Sequence, residues 1–186
     1  MKIIETGFPD LVVVEPKVFK DDRGYFFESY SHKTFSENGI DTVFCQDNQA
    51  KSSVGVIRGL HYQLPPFAQT KLLRVVEGAI LDVVVDLRKG SPTFGRYFSV
   101  ELTAENFLQL FVPKGFAHGY SVLSDICIVQ YKCDSYYAPH AEAGVNLFDP
   151  KLDIDWKIPH EKAIISPKDR IWPMLDVAVH DFEYEG

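Results

Sequence analysis

Short segments rich in Val, Ile, Phe and Tyr recur along this chain, and Gly, Pro, Asp or Asn interrupts each after a few residues. They are Leu11–Glu15, Tyr25–Tyr30, Val56–Tyr62, Leu72–Glu77, Ile80–Leu87, Tyr97–Leu102, Leu108–Val112, Gly119–Val122 and Ile126–Tyr131. β-branched and aromatic side chains suit a pleated surface, and turn signals about every ten residues leave little room for long helices. The pattern therefore predicts many short strands in a sandwich or barrel. From Leu81 to Leu87 the period is two, with Leu81, Val83, Val85 and Leu87 on one face and Asp82 and Asp86 on the other. One helix is predicted from about Ser31 to Asn38, capped by Ser31 and stopped at Gly39. Beyond Phe148, the prolines at 150, 159, 167 and 173 predict a segment that wraps the body in turns and short helices. The expected fold is mainly β, a jelly-roll β-barrel with a few short helices. It forms one domain over residues 1–186 with a C-terminal wrapping segment from about residue 149.

Composition narrows the function classes. The net charge of −7 argues against a nucleic-acid binder that relies on broad electrostatic attraction, although a local group of arginines can still hold a small phosphorylated ligand. Cys45, Cys127 and Cys133 lack metal-type spacing and read as reduced thiols, which predicts a cytoplasmic protein. No apolar run is long enough to cross a bilayer, so no membrane partner is expected.

The segment GVIRGLHYQLPPFAQTKLLRVVEG, from Gly55 to Gly78, is the most informative. Gly55 followed by His61 resembles the opening of the first cupin motif. A metal-binding cupin continues with a second His at position 63 and then a carboxylate; here those places hold Gln63 and Lys71. A cation in place of an anionic ligand spoils a divalent site, because such metals need neutral imidazoles and anionic oxygen or thiolate donors. The expectation is therefore a site without metal. Lysine suits a different chemistry. Removing a proton beside a carbonyl leaves charge on the oxygen, and a fixed cation stabilises it. His61 is the candidate base. The same spacing also accommodates an ordinary satisfied histidine and a solvated lysine.

Pro113-Lys-Gly115-Phe-Ala-His118 matches the start of the second cupin motif, but Val122 stands where that motif has Asn. His118 is then a polar contact or a support for His61. Tyr131 ends a strand pattern, where a tyrosine is either core or, pointing into a barrel, a general acid on the face opposite the base. Asp22-Arg23-Gly24-Tyr25-Phe26 reads as a tight turn entering an aromatic strand. Gln46, Asn48 and Glu28 carry groups suited to a pyrimidine edge, and Arg58 and Arg23 carry guanidinium forks suited to phosphate.

Taken together, these segments resemble the dTDP-4-dehydrorhamnose 3,5-epimerase family, which supplies the third enzyme of the dTDP-rhamnose pathway. EPKVFKDDRGYFFESY, QDNQAKS, GVIRGLHYQLPP, AQTKLLRVVEGAILDVVVDLRKGSPTFG, LTAEN, PKGFAHGYSVLS, QYKCDSYYAP, FDPKLDIDW and ISPKD carry the likeness in order, roughly from Glu15 to Asp169. The resemblance implies a cupin-like double-stranded β-helix, a homodimer and no cofactor. It implies that His61 removes the protons at sugar carbons 3 and 5, paired with Asp169, a pairing that no spacing predicts. It implies that Tyr131 returns the proton from the opposite face and that Lys71 holds the enolate oxygen. Arg58 and Arg23 would bind the pyrophosphate, and His118, Asp82, Tyr137 and Lys168 would line the pocket. Phe26, Glu28, Gln46 and Asn48 would contact thymidine, partly across the dimer interface. The expected reaction converts dTDP-4-dehydro-6-deoxy-D-glucose to dTDP-4-dehydro-L-rhamnose; the alternative is a 3-epimerase of a related dTDP-4-keto-deoxysugar. The departures are Phe107, where the family is rich in Lys, and a C-terminal run, WPMLDVAVHDFEYEG, that passes the family's usual end.

Overall fold

A computed structural model describes residues 1–186. Its first eight strands are β1 (Lys2–Glu5), β2 (Val12–Glu15), β3 (Phe19–Asp21), β4 (Gly24–Phe26), β5 (Gln46–Ser53), β6 (Ile57–Gln63), β7 (Lys71–Glu77) and β8 (Ala79–Asp86). The rest are β9 (Arg88–Lys89), β10 (Tyr97–Thr103), β11 (Gln109–Val112), β12 (Phe116–Val122), β13 (Ile126–Cys133), β14 (Glu142–Gly144) and β15 (Phe182–Glu183). A six-stranded sheet runs β1-β2-β11-β7-β13-β5, and a five-stranded sheet runs β10-β8-β12-β6-β14. The fold is the expected mainly-β jelly roll. No helix is long and apolar enough to cross a membrane.

The two sheets enclose one apolar core. Val13, Leu73, Val75, Leu110 and Val129 from the larger sheet meet Ile80, Val84, Leu102, Tyr120 and Val122 from the smaller. The outer face of each sheet is also covered. Leu81, Val83, Val85 and Leu87 pack under the C-terminal segment, against Leu152, Trp156, Leu175, Ala178 and Phe182. On the other side, Val12, Val14, Leu72 and Phe111 pack under Phe35 and Ile40. Phe35 belongs to helix α1 (His32–Ser36), whose N-cap Ser31 accepts a hydrogen bond from the Thr34 amide at 3.4 Å.

Both faces of β8 are buried. The alternation is present, but Asp82 and Asp86 do not face solvent; both are wholly buried. Asp86 accepts from Arg88 Nη2 (2.9 Å), Ser91 Oγ (2.6 Å) and Thr93 Oγ1 (2.7 Å). Burial raises its pKa, yet these bonds outweigh burial and hold the carboxyl below its ordinary value.

Two strand readings differ from expectation. The segment Tyr25–Tyr30 is a strand only as far as Phe26, where β4 completes an exposed hairpin with β3. Gln46–Ser53, too polar to read as a strand, forms β5 by pairing along its full length with β13. Its alternate residues turn toward the cavity between the sheets or toward solvent, so neither face needs apolar side chains.

The C-terminal segment wraps the smaller sheet in turns and two short 3₁₀ helices, His160–Lys162 and Leu175–Val177. Ser121 Oγ donates to the Trp156 carbonyl at 2.7 Å, and Ile164 bridges Val56. The terminal run is also built in, because β15 pairs in parallel with β9.

Candidate functional site

A cavity of about 340 Å³ opens between the sheets, lined by Gln46, Asn48, His61, Tyr62, Gln63, Gln69, Lys71, Tyr131, Cys133, Tyr137 and Glu142. His61 comes from β6 in the smaller sheet, whereas Lys71 (β7), Tyr131 (β13), Gln46 and Asn48 (β5) come from the larger one. The period-two alternation of each strand turns these side chains inward. At this end of the sandwich the interior is polar, whereas further along it becomes the apolar core.

His61 Nε2 lies 2.6 Å from Asp169 Oδ1. The Asp169 side chain is 4% exposed, while His61 keeps 31% of its surface open. Burial raises the Asp169 pKa, but the hydrogen bond and charge of His61, the Gly59 amide and Ser166 outweigh it, so the group is held below its ordinary value. Asp169 is therefore a carboxylate at neutral pH, suited to orienting the imidazole and stabilising its protonated form. The other ring nitrogen of His61 has no protein partner.

Burial pushes the Lys71 ammonium below its ordinary value, against the pull of Cys133, Asp82 and Glu142. For Tyr131, burial and then Cys133 raise the phenol, with Arg58 opposing, so it stays protonated at neutral pH, as a proton donor must. His118 sits opposite His61 in the β12–β6 register, and its Nε2 lies 2.7 Å from Asp82 Oδ1. Burial depresses its pKa more than Asp82 raises it, and Lys71 and His61 add to the depression. Of the two roles left open for His118, support behind the cavity fits this placement. Asp82 Oδ2 is buried without a partner.

At the rim, Glu142 accepts from Tyr137 Oη at 2.8 Å and pairs with Lys168. Burial raises the Glu142 pKa, but Lys168 and Tyr137 outweigh it and lower the group overall. The Tyr137 amide donates to Gln46 Oε1 at 3.0 Å, and Gln46 Nε2 donates to Asn48 Oδ1 at 3.0 Å. Gln63 fills the place of a second metal-binding histidine. Its Nε2 donates to the Phe67 carbonyl (2.7 Å) and its Oε1 accepts from the Ala138 amide (2.8 Å), which anchors the loop that carries Tyr137. A second opening beside His61 is lined by Arg58, Lys168 and Asp169, where Arg58 Nε and Nη2 each donate to Ser52 Oγ at 3.1 Å.

Three expected binding residues lie elsewhere. Arg23 and Phe26 sit on the β3–β4 hairpin, Arg23 held by Asp21 at 2.5 Å and Phe26 72% exposed. Glu28 follows that hairpin and accepts from Thr34 Oγ1 at 2.9 Å. Phe107, which fills a Lys-rich position, packs edge-on against Tyr25 and Phe27 and so supports the hairpin's base. Among the residues not anticipated, Glu142 is the most consequential. It lies in a segment with no motif and reaches the cavity only because β14 pairs with β6, Glu142 opposite Gln63.

The family model described as dTDP-4-dehydrorhamnose 3,5-epimerase matches residues 5–176. A curated dTDP-4-dehydrorhamnose 3,5-epimerase from Shigella flexneri is 49% identical over 170 residues, covering 91% of this chain and 93% of that protein. The crystal structure of a dTDP-6-deoxy-D-glucose-3,5-epimerase from Legionella pneumophila, in complex with dTDP-4-keto-L-rhamnose, superposes with a TM-score of 0.93 at 43% identity, covering 100% of this chain and 99% of that one. A 3'-monoepimerase from Streptomyces bikiniensis in complex with dTDP-quinovose is more distant, with a TM-score of 0.86 and 36% identity over 93% of this chain and 87% of that one.

Proposed function

The chain belongs to the dTDP-4-dehydrorhamnose 3,5-epimerase family, and from that membership we propose that it epimerises dTDP-4-dehydro-6-deoxy-D-glucose at carbons 3 and 5 to dTDP-4-dehydro-L-rhamnose, in dTDP-rhamnose biosynthesis. The observation that carries the mechanism is the His61–Asp169 pair at 2.6 Å, in a cavity whose other wall holds Lys71 and Tyr131. His61 takes the proton from carbon 3, and Asp169 stabilises the imidazolium that forms. The electron pair moves onto the ketone oxygen at carbon 4, where the Lys71 ammonium holds it. Tyr131 gives its proton to the opposite face, and exchange with solvent resets both groups. The ketone acidifies carbon 5 equally, so the same groups act there after the sugar turns. Every step is a proton transfer, and no cofactor enters.

Placement supports the remaining roles. Arg58, with Lys168 at the rim, suits the pyrophosphate; Gln46, Asn48 and Tyr137 suit the nucleoside; Asp82 and His118 support the cavity floor. Because Asp169 comes from the wrapping segment and His61 from the barrel, body and wrap work as one catalytic domain. The cytoplasm suits an enzyme whose three cysteines are all free thiols.

The family reading also includes a homodimer. Phe19, Tyr25 and Phe26 are 53, 57 and 72% exposed on one hairpin, which is costly for a monomer and suits insertion beside a second copy. Arg23, Phe26 and Glu28 then serve the partner's nucleotide. Sedimentation should give twice the chain mass, and Phe26→Asp should yield monomers that bind dTDP poorly. A monomeric parent chain would remove the dimer.

The direct test of the reaction is proton NMR of dTDP-4-dehydro-6-deoxy-D-glucose with the protein in deuterium oxide. Deuterium should enter carbons 3 and 5. Entry at carbon 3 alone would make the protein a 3-epimerase, and entry at neither would refute the reaction.

A further inference from the structure

The catalytic proposal leaves Trp172 unused, although it stands next to the base. Its ring centroid is 6.3 Å from that of His61, and the planes cross at 70°. Gly144 makes this approach possible. It lies directly opposite His61 in the β14–β6 register, and a Cβ there would fall 2.6 Å from indole atoms. The indole therefore lies against bare backbone, in space that any side chain at 144 would take. Asn146 fixes the same stretch from below: its Nδ2 donates to the Trp172 carbonyl at 3.2 Å and its amide donates to the Pro173 carbonyl at 2.8 Å. Above, the Lys168 ammonium sits 5.8 Å from the indole centroid.

The Trp172 N–H is buried without an acceptor. The side chain is thus held by packing and not by its polar atom: it is seated on the Gly144 backbone and stands edge-on to the imidazole. A histidine that takes protons from two carbons needs a fixed ring orientation, and its hydrogen bond to Asp169 leaves rotation about that bond open. An aromatic wall perpendicular to the ring closes off that rotation.

We infer that Trp172 is a positioning residue, whose indole, seated on Gly144, sets the plane of the His61 imidazole toward the sugar. This rests on His61 being the base. A positioning defect appears in kcat, because small misplacement of a reacting group costs up to about a hundredfold in rate while bound substrate keeps its other contacts.

Deuterium wash-in kinetics on the full-length protein, with dTDP affinity by calorimetry, test the inference. Trp172→Ala should lower kcat about 10- to 100-fold while KM and dTDP affinity stay within about threefold. Trp172→Phe removes the orphan N–H but keeps an aromatic wall, and should recover most of the rate. Gly144→Ala keeps the indole but displaces it, and should fall toward the Trp172→Ala rate. These last two variants carry the test if Trp172→Ala does not fold. Parental kcat in Trp172→Ala, or a loss confined to KM, would overturn the positioning role. The base assignment fails separately, if His61→Gln turns over normally.

Discussion

His61→Gln should abolish turnover and leave the protein folded. The glutamine amide reaches the position of His61 Nε2 and can still donate to Asp169, so the buried carboxylate keeps a partner and the wrapping segment keeps its anchor to β6. What the amide cannot do is accept a proton from carbon. A positioned general base contributes about 10²–10⁴-fold, and a base that serves two centres loses both inversions together, so product should fall below detection in ordinary assays. dTDP affinity, measured calorimetrically, should hold, because the nucleotide contacts proposed above, on β5, the Tyr137 loop, Arg58 and the partner's hairpin, do not include His61. Turnover above about a tenth of the parent rate would locate the base elsewhere. Loss of exchange at one carbon only would show that two bases divide the work.

Lys71→Met should produce the second large effect, about 10²–10³-fold in kcat, equivalent to about 3–4 kcal/mol of lost enolate stabilisation. Methionine keeps an unbranched apolar stem, one atom shorter, while removing the charge, so packing beside Cys133 survives. Substrate binding should change far less than exchange, because the ketone carries little charge until a proton leaves. Equal losses in binding and exchange would assign Lys71 to ground-state phosphate contact instead. There is a pH corollary. Burial lowers the Lys71 pKa, so the ammonium is present below that value and lost as pH rises through it. The alkaline decline in kcat should therefore begin at lower pH than an exposed lysine would give, and Lys71→Met should lack that limb.

Most of the architecture is legible in the sequence because strands at the centre of a sheet must bury apolar side chains, as β7, β8, β12 and β13 do. β5 escapes such a reading for the complementary reason. Its inward residues face a polar cavity, so pairing with β13 and not composition makes it a strand. For Asp82 and Asp86, alternation gives a shared face but cannot reveal a second covering layer; here the C-terminal segment covers one face of β8 and the opposite sheet the other. At the site, the lysine and glutamine that occupy metal-ligand places are visible in the order of residues, since a cation there is chemically incompatible with a divalent ion. Trp172 carries no signal, because its role depends on Gly144, which belongs to another strand.

The sequence by itself determined the jelly roll, through the period and punctuation of its strands, and the family, through motifs spread from Glu15 to Asp169. Only the tertiary structure decided that Glu142 meets Lys168 and Trp172 meets Gly144, and it brings Asp169 to His61 across 108 positions, a pairing that the family resemblance implied and no spacing predicts. It also decided that Arg23, Phe26 and Glu28 lie away from the cavity of their own chain. The physical reason is the same in each case. Periodicity and turn chemistry are local properties of a chain, whereas a catalytic pair forms from backbone segments that the closing of the fold brings within hydrogen-bond distance.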